Sequence, residues 1–194
     1  MMSVTNLKCL SCGVFRNEVE ELRRRGDLDC EVMFLDSMLH MNPRALDREL
    51  SHIVDGDASK HYLILYGDCH PHMHEMQAKK NTVKAGGLNC CEILLGKSAY
   101  RELQQSGAFI FLPEWTMRWK EIFTRELGFE KPDMARSFLQ EHRTRLVYVD
   151  TGVIPVPVQT LDEIAAYFSM PLDVMHITLD ILLENIRNAL LKFK

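Results

Sequence analysis

His61–Tyr66 reads HYLILY and is closed by Gly67. A run this short and this apolar, ended by glycine, suits a strand covered on both faces rather than one with a solvent side. Such strands belong to parallel sheets, so helices should flank it in the chain. Upstream, Asn42-Pro43 opens a helix through Leu50 and Ile53, with Pro43 in a first turn where a missing N–H costs little. Before it lie a strand at Cys30–Leu35 (CEVMFL), a helix carrying Val14, Val19 and Leu22 as far as Gly26, and a first strand at Thr5–Ser11. Downstream, past Gly86-Gly87, the sequence predicts a helix over 90–105, a strand over 108–112 (AFIFL) and a helix over 114–127. A strand at 145–149 (RLVYV), a helix at 161–168, a strand at 174–177 and a helix at 179–193 follow. Strict alternation implies right-handed crossovers, and so an α/β three-layer sandwich: a mostly parallel sheet of about five or six strands with helices on both faces. No repeat or linker divides it, and 1–194 reads as a single domain.

With 46% hydrophobic and 26% charged residues, 194 residues can bury a substantial core. The net charge of −4, with both signs interspersed, offers no extended basic surface for phosphates, so nucleic acid is not an expected partner. The N-terminal MMSVTNLKCLSCG lacks the pattern of a signal peptide, and no apolar run has the length to span a bilayer. The expected location is cytoplasmic, where six cysteines are better read as thiols or metal ligands than as disulfides. Neither GxGxxG nor GxxxxGK[ST] occurs, so a nucleotide cofactor has no support.

The cysteines and histidines follow the strand ends. Cys12 comes after the first strand, His40 after the second and Cys69 after the third, at the edge where open α/β sheets bind ligands. Cys90 and Cys91 start a helix just past Gly86-Gly87, where free N–H groups favour a thiolate. Thiolate with imidazole suits Zn2+ or an iron–sulfur cluster, so the candidate metal ligands are Cys12, Cys69 and Cys90, completed by His40 or Cys91. Cys9, inside the first strand, faces another way from Cys12 and is read with Cys30 as core packing. His52, His61, His142 and His176 read as solvent-facing. His70, His72 and His74 (CHPHMH) alternate beside Cys69, and at most two of them can join it.

A competing reading makes Cys69 a nucleophile with a nearby histidine as base, but several thiols at one rim exceed what one nucleophile needs. Trp115, after the fourth strand, is a candidate for walling a pocket or stacking on a flat cofactor. Trp119, four residues on, reads as packing.

The segments SCGVFRNEVEEL, FLDSMLHMNP, LILYGDC, NCCEILLGKSAY, FIFLPEW and LVYVDTG, in this order, resemble the domain-of-unknown-function family sixteen-thirty-eight of anaerobic bacteria and methanogenic archaea. The resemblance implies recurring polar positions at Cys12, His40, Cys69 and Cys90. It departs from the family pattern at His70, where glycine is usual, and at Asn89-Cys90-Cys91, where Asp-Cys is usual. It also implies proximity to anaerobic one-carbon metabolism, as a metal-dependent methyl- or sulfur-transferase or as an accessory module, with a corrinoid protein or methyltransferase as partner. Corrinoid held in the usual way is not expected. The loop after the first strand, SCGVFRNE, contains no histidine to coordinate cobalt, although His40 after the second strand could in principle substitute.

Overall fold

In a computed structural model of the chain, residues 6–129 and 131–193 are described. They form two compact units: the residues up to Lys97 together with those from Leu179 onward, and Ser98–Thr178. Both are α/β with parallel sheets. The strands therefore fall into two sheets, of four and three strands among the described residues, where the sequence suggests one sheet of five or six.

The first unit runs β1 (Leu7–Cys12), α1 (Arg16–Arg24), β2 (Glu31–Leu35), α2 (Pro43–Gly56), β3 (His61–Leu65), α3 (Met73–Gln77), β4 (Thr82–Lys84) and α4 (Cys90–Leu95). Its strands lie in the order β2-β1-β3-β4, all parallel. β1 is buried along its whole length and β3 at every residue but its first, as their near-continuous apolar sequences require. The chain moves outward from β1 to β2, then returns past β1 to β3. The order thus reverses between β1 and β3, and their carboxyl ends frame a topological switch point, the crevice where open α/β sheets bind ligands.

Asn42 begins α2 by accepting from Ala45 N at 3.1 Å, with Pro43 at the first helical position as expected. The helix expected over 90–105 is two helices, α4 and α5 (Lys97–Gln105), broken at Gly96, whose φ of 79° lies in the left-handed region.

The second unit carries β5 (Ala108–Phe111), α6 (Pro113–Met117), α7 (Pro132–Gln140), β6 (Arg145–Asp150), α8 (Val158–Phe168) and β7 (Leu172–His176), with strand order β5-β6-β7, again parallel. A π-helical turn, Glu121–Glu126, replaces the second half of the helix expected over 114–127. Its Phe123 packs on Phe111 and Phe168, with ring centroids 5.7 and 5.0 Å away, forming the aromatic centre of this unit. Trp119 is buried edge-on against Tyr167, as the packing reading requires. The chain then returns to the first unit as α9 (Asp180–Leu190), whose Asn185 amide donates to the Ile93 carbonyl of α4 at 2.8 Å. No helix among the described residues is long and apolar enough to cross a membrane.

Candidate metal centre

Three segments bring Cys12, Cys69 and Cys90 together at the switch point. Cys12 is the last residue of β1, aligned with Leu35 of β2, and Ser11 before it is aligned with Leu65 of β3. Two glycines allow the close approach of the chain segments around it. A Cβ on Gly13 would lie 2.9 Å from the Leu35 carbonyl oxygen and 3.2 Å from Ser37 N. A Cβ on Gly67 would lie 2.4 Å from Asn89 Cα and 2.6 Å from the Leu88 carbonyl oxygen, all of them backbone atoms. The turn after β3 is thereby pressed against the start of α4, and Asp68 N donates to Leu88 O at 2.8 Å. This contact carries Cys69 to Cys90.

The start of α4 is fixed by reciprocal bonds of capping-box type. Asn89 Oδ1 accepts from Glu92 N at 2.9 Å, and Glu92 Oε2 accepts from Leu88 N at 3.1 Å. Asparagine caps as well as the aspartate usual in the resembled family, so that departure leaves Cys90 in the first turn of the helix.

Cys90 is the hub of the cluster: its thiol hydrogen-bonds with both Cys12 and Cys69. These two bonds, with burial, push the Cys90 thiol well up. The same contact acts oppositely on Cys69, whose pKa is lowered, first by the hydrogen bond from Cys90 and then with help from the Gly67 backbone and the Lys84 ammonium. Lys84 is itself almost fully buried and holds Asp68 Oδ1 at 3.0 Å and Gly87 O at 3.0 Å, tying together the residues that flank the two cysteines. Of this pair, Cys69 is thus the thiol more readily ionised and Cys90 the one that keeps its proton. The position of Cys90 at a helix start does not lower its pKa, contrary to the sequence expectation. α4 has only six residues, and burial with two thiol contacts outweighs its dipole.

Cys91 lies one residue along the helix. Burial pushes its thiol up to about 12, and no other thiol is among the groups that act on it. His40 lies on the 3-10 turn Ser37–Met41 after β2, where its Nδ1 donates to the Ser37 carbonyl at 2.6 Å. His70 is buried with Nδ1 3.5 Å from Asp47 Oδ1, and the more exposed His72 places Nδ1 2.9 Å from Asp47 Oδ2, so both histidines turn to α2. His74 lies on α3 and lines, with His70, Lys84 and Leu88, a cleft of about 690 Å3. Cys9 is wholly buried in β1 beside Cys30, whose thiol burial raises to about 11. Trp115 lies on α6 in the second unit, just past the carboxyl end of β5.

Among the described residues, no group of three or more His, Cys, Asp or Glu side chains is arranged so that it could hold a metal ion as it stands. The three thiols are linked through Cys90, in the order Cys12, Cys90, Cys69, as hydrogen-bonded groups.

Two further features escape the sequence reading. Tyr66, which reads as the last core residue of its strand, has its hydroxyl buried among the thiols. Cys12, Cys90, Cys69 and Asp36 are the charges that act on it, and burial raises it far above the usual phenol range, so it keeps its proton. In the second unit, Asp150 at the end of β6 accepts from Gly152 N at 2.8 Å through Oδ1 and meets His176 Nδ1 at 2.7 Å through Oδ2. His176 is therefore held by a carboxylate at a strand end, although its side chain does face solvent.

The site sits in a chain whose family can be stated. The profile of a family described as a protein of unknown function (DUF1638) matches residues 34–186. The chain belongs to this family. The match contains His40, Cys69, Cys90, Cys91 and Trp115 and begins after Cys12. No curated protein and no solved structure gives a significant match.

Proposed function

We propose that the protein holds one thiophilic metal centre, Zn2+ or an iron–sulfur cluster, through Cys12, Cys69 and Cys90, and that it serves methyl or sulfur transfer in anaerobic one-carbon metabolism. The observation that carries this reading is the meeting of three thiols, from three chain segments, through Cys90 at the switch point of the first sheet. Thiolates are the common ligands of both candidate metals. Loading requires the sulfurs to lose their protons and turn from one another toward a shared centre, since the protonated cluster is not a ready metal site. Cys69, whose pKa is already lowered by its contact with Cys90, would engage first. The same reading takes the first unit as three-layered, with α1 and α2 on opposite faces of its sheet, as right-handed crossovers require.

Cys91 and His40 are left out of the ligand set, because the groups acting on the Cys91 thiol include no other cysteine and His40 is engaged with Ser37. Three protein ligands leave a position for an exogenous group, which favours an enzyme over a closed structural site. A bound metal would supply Lewis acidity and a low thiol pKa to a substrate entering that position. Metal analysis and visible absorption of anaerobically purified protein test the reading. One Zn2+ or one iron–sulfur cluster per chain, bound more weakly by Cys12→Ser, Cys69→Ser and Cys90→Ser but undiminished in Cys91→Ser and His40→Ala, supports it; a metal-free, colourless, folded protein refutes it.

A second reading is favoured by one contact. Cys69, hydrogen-bonded by Cys90 and close to Lys84, is arranged as a thiolate nucleophile with Cys90 as its thiol partner. The histidine base expected from sequence has no support in the geometry of His70 and His72, which turn to Asp47. Thiol exchange by metal-free protein, abolished in Cys69→Ser, would favour this alternative.

A further inference from the structure

The cleft of about 690 Å3 beside the carboxyl end of β4 is lined entirely by residues of the first unit, and none of the cysteines lines it. Clefts of this size hold small organic ligands. The chain carries a net charge of −4, yet the three lysines of this cleft, Lys84, Lys97 and Lys192, outnumber its carboxylates, Asp68 and Glu92. Lys84 is fully engaged: its buried ammonium donates to Asp68 Oδ1 at 3.0 Å, Gly87 O at 3.0 Å and Ala85 O at 3.2 Å, which uses all three protons. Glu92 Oε2 accepts from Leu88 N at 3.1 Å. Lys97 and Lys192 are exposed, and neither has a partner among the described residues. Backbone donors add to them. The Ala85 carbonyl points at the Lys84 ammonium, so the N–H of the same trans peptide, that of Gly86, points away from it. This N–H makes no hydrogen bond among the described residues, and Gly86 lines the cleft. Leu88, two residues on, adds an apolar side chain that is 66% exposed.

We propose that this cleft binds a small organic anion, a carboxylic acid or a phosphate ester, whose oxyanion is held by the Lys97 and Lys192 ammoniums and the Gly86 N–H while its carbon body lies on Leu88. The unengaged groups are all donors, and two of them are cationic, so the ligand must bring acceptor oxygens and negative charge. A cation is a poor occupant, since Asp68 is already paired with Lys84 and Glu92 already accepts from Leu88 N. A bare inorganic ion would leave Leu88 uncovered and most of the volume unfilled. The site uses no thiol and no metal, and so is independent of the metal reading above. It nevertheless lies beside the thiols in the chain, because Asp68 precedes Cys69 and Leu88 stands two residues before Cys90.

The test is 1H–15N NMR of the full, metal-free chain, titrated with succinate and glycerol 3-phosphate as organic anions, glycerol as the neutral control and inorganic phosphate as the bare ion. At least one organic anion should give saturable shifts centred on the amides of Gly86, Gly87, Leu88 and Lys97, weakened by added salt, while glycerol gives none. A response to succinate alone identifies a carboxylate site, to glycerol 3-phosphate alone a phosphate-ester site, and to both a site that reads the oxyanion. Lys97→Ala and Lys192→Ala should each weaken binding about threefold and the double variant about tenfold. Lys80→Ala, which removes an exposed lysine of the same unit outside the cleft, should leave it unchanged. Since neither Lys97 nor Lys192 has a partner to lose, the variants should melt with the parent, and the shifts in the wild-type protein read the site without any variant. Absence of saturable binding by both organic anions, shifts centred elsewhere, or undiminished affinity in the double variant would overturn the proposal. Inorganic phosphate binding as tightly as either organic anion would overturn it too, reducing the cleft to a patch of surface charge.

Discussion

Gly67→Ala perturbs the contact that joins Cys69 to Cys90. The new Cβ would stand 2.4 Å from Asn89 Cα, 2.6 Å from Leu88 O and 2.9 Å from Asn89 N, none of which can move aside by a change of rotamer. Restoring ordinary contact distances requires the two segments to part by about 1 Å. That movement breaks the 2.8 Å bond from Asp68 N to Leu88 O. Overpacking of this kind costs about 1–3 kcal/mol and the lost bond about 1 kcal/mol more, so the variant should lose about 2–4 kcal/mol. Gly56→Ala is the control. Gly56 ends α2 with nothing within 4 Å of its would-be Cβ, and alanine there should be neutral or stabilising by up to about 1 kcal/mol. Urea unfolding with linear extrapolation reads both, and equal m-values confirm that only stability has changed. Metal titration of Gly67→Ala should show weakened binding as well, because the displaced segment carries Cys69. A Gly67→Ala protein within about 0.5 kcal/mol of the parent, with unchanged metal affinity, would refute the role given to this close approach.

The remaining predictions concern single side chains. Limited alkylation of the metal-free protein near neutral pH, mapped by mass spectrometry, should mark Cys69 first. Its pKa is lowered by Cys90, while Cys9, Cys30, Cys90 and Cys91 are all pushed up; metal should protect it. Burial holds His70 below the ordinary imidazole value, so its contribution to stability is full above the unfolded pKa near 6.5 and is lost as pH falls through the folded one. Denaturation midpoints between about pH 6.5 and 5 should therefore fall more steeply in wild type than in His70→Asn. His72 has the opposite sign: Asp47 raises its pKa, so its contribution is full below about 6.5 and disappears as pH rises through the folded value, a slope that His72→Ala should remove.

The alternation of strands and helices was legible because the central strands are nearly unbroken apolar runs: HYLIL, AFIF and RLVYV are buried almost throughout. β4 escaped notice because Thr82–Lys84 is too short for any periodicity, and its buried lysine is held by Asp68 and by the carbonyls of Ala85 and Gly87. The division into two sheets is equally hidden, since an alternating pattern gives the order of elements and not which strands pair. Gly96, read as part of one helix, breaks it through its left-handed φ, and only the backbone conformation reveals that. The meeting of Cys12, Cys69 and Cys90 at one edge could be read from their places at strand ends and a helix start. Which of Cys90 and Cys91 meets the other thiols could not, because it depends on which face of α4 meets the switch point. Tyr66 was invisible as a polar group: a tyrosine closing an apolar strand looks like core until its hydroxyl is found without a partner. The Asp150–His176 contact joins residues 26 positions apart and depends on the parallel pairing of β6 with β7.

The central claim is that three sulfurs of this chain hold one metal centre. X-ray absorption of anaerobically loaded protein measures this directly at the metal edge, by the number and distance of sulfur neighbours. With Zn2+ loaded, the account predicts a shell of three protein sulfurs at about 2.3 Å, falling to two when any one of Cys12, Cys69 or Cys90 is replaced by serine and unchanged in Cys91→Ser. A shell of oxygen and nitrogen alone, or a sulfur count indifferent to those three substitutions, would contradict it.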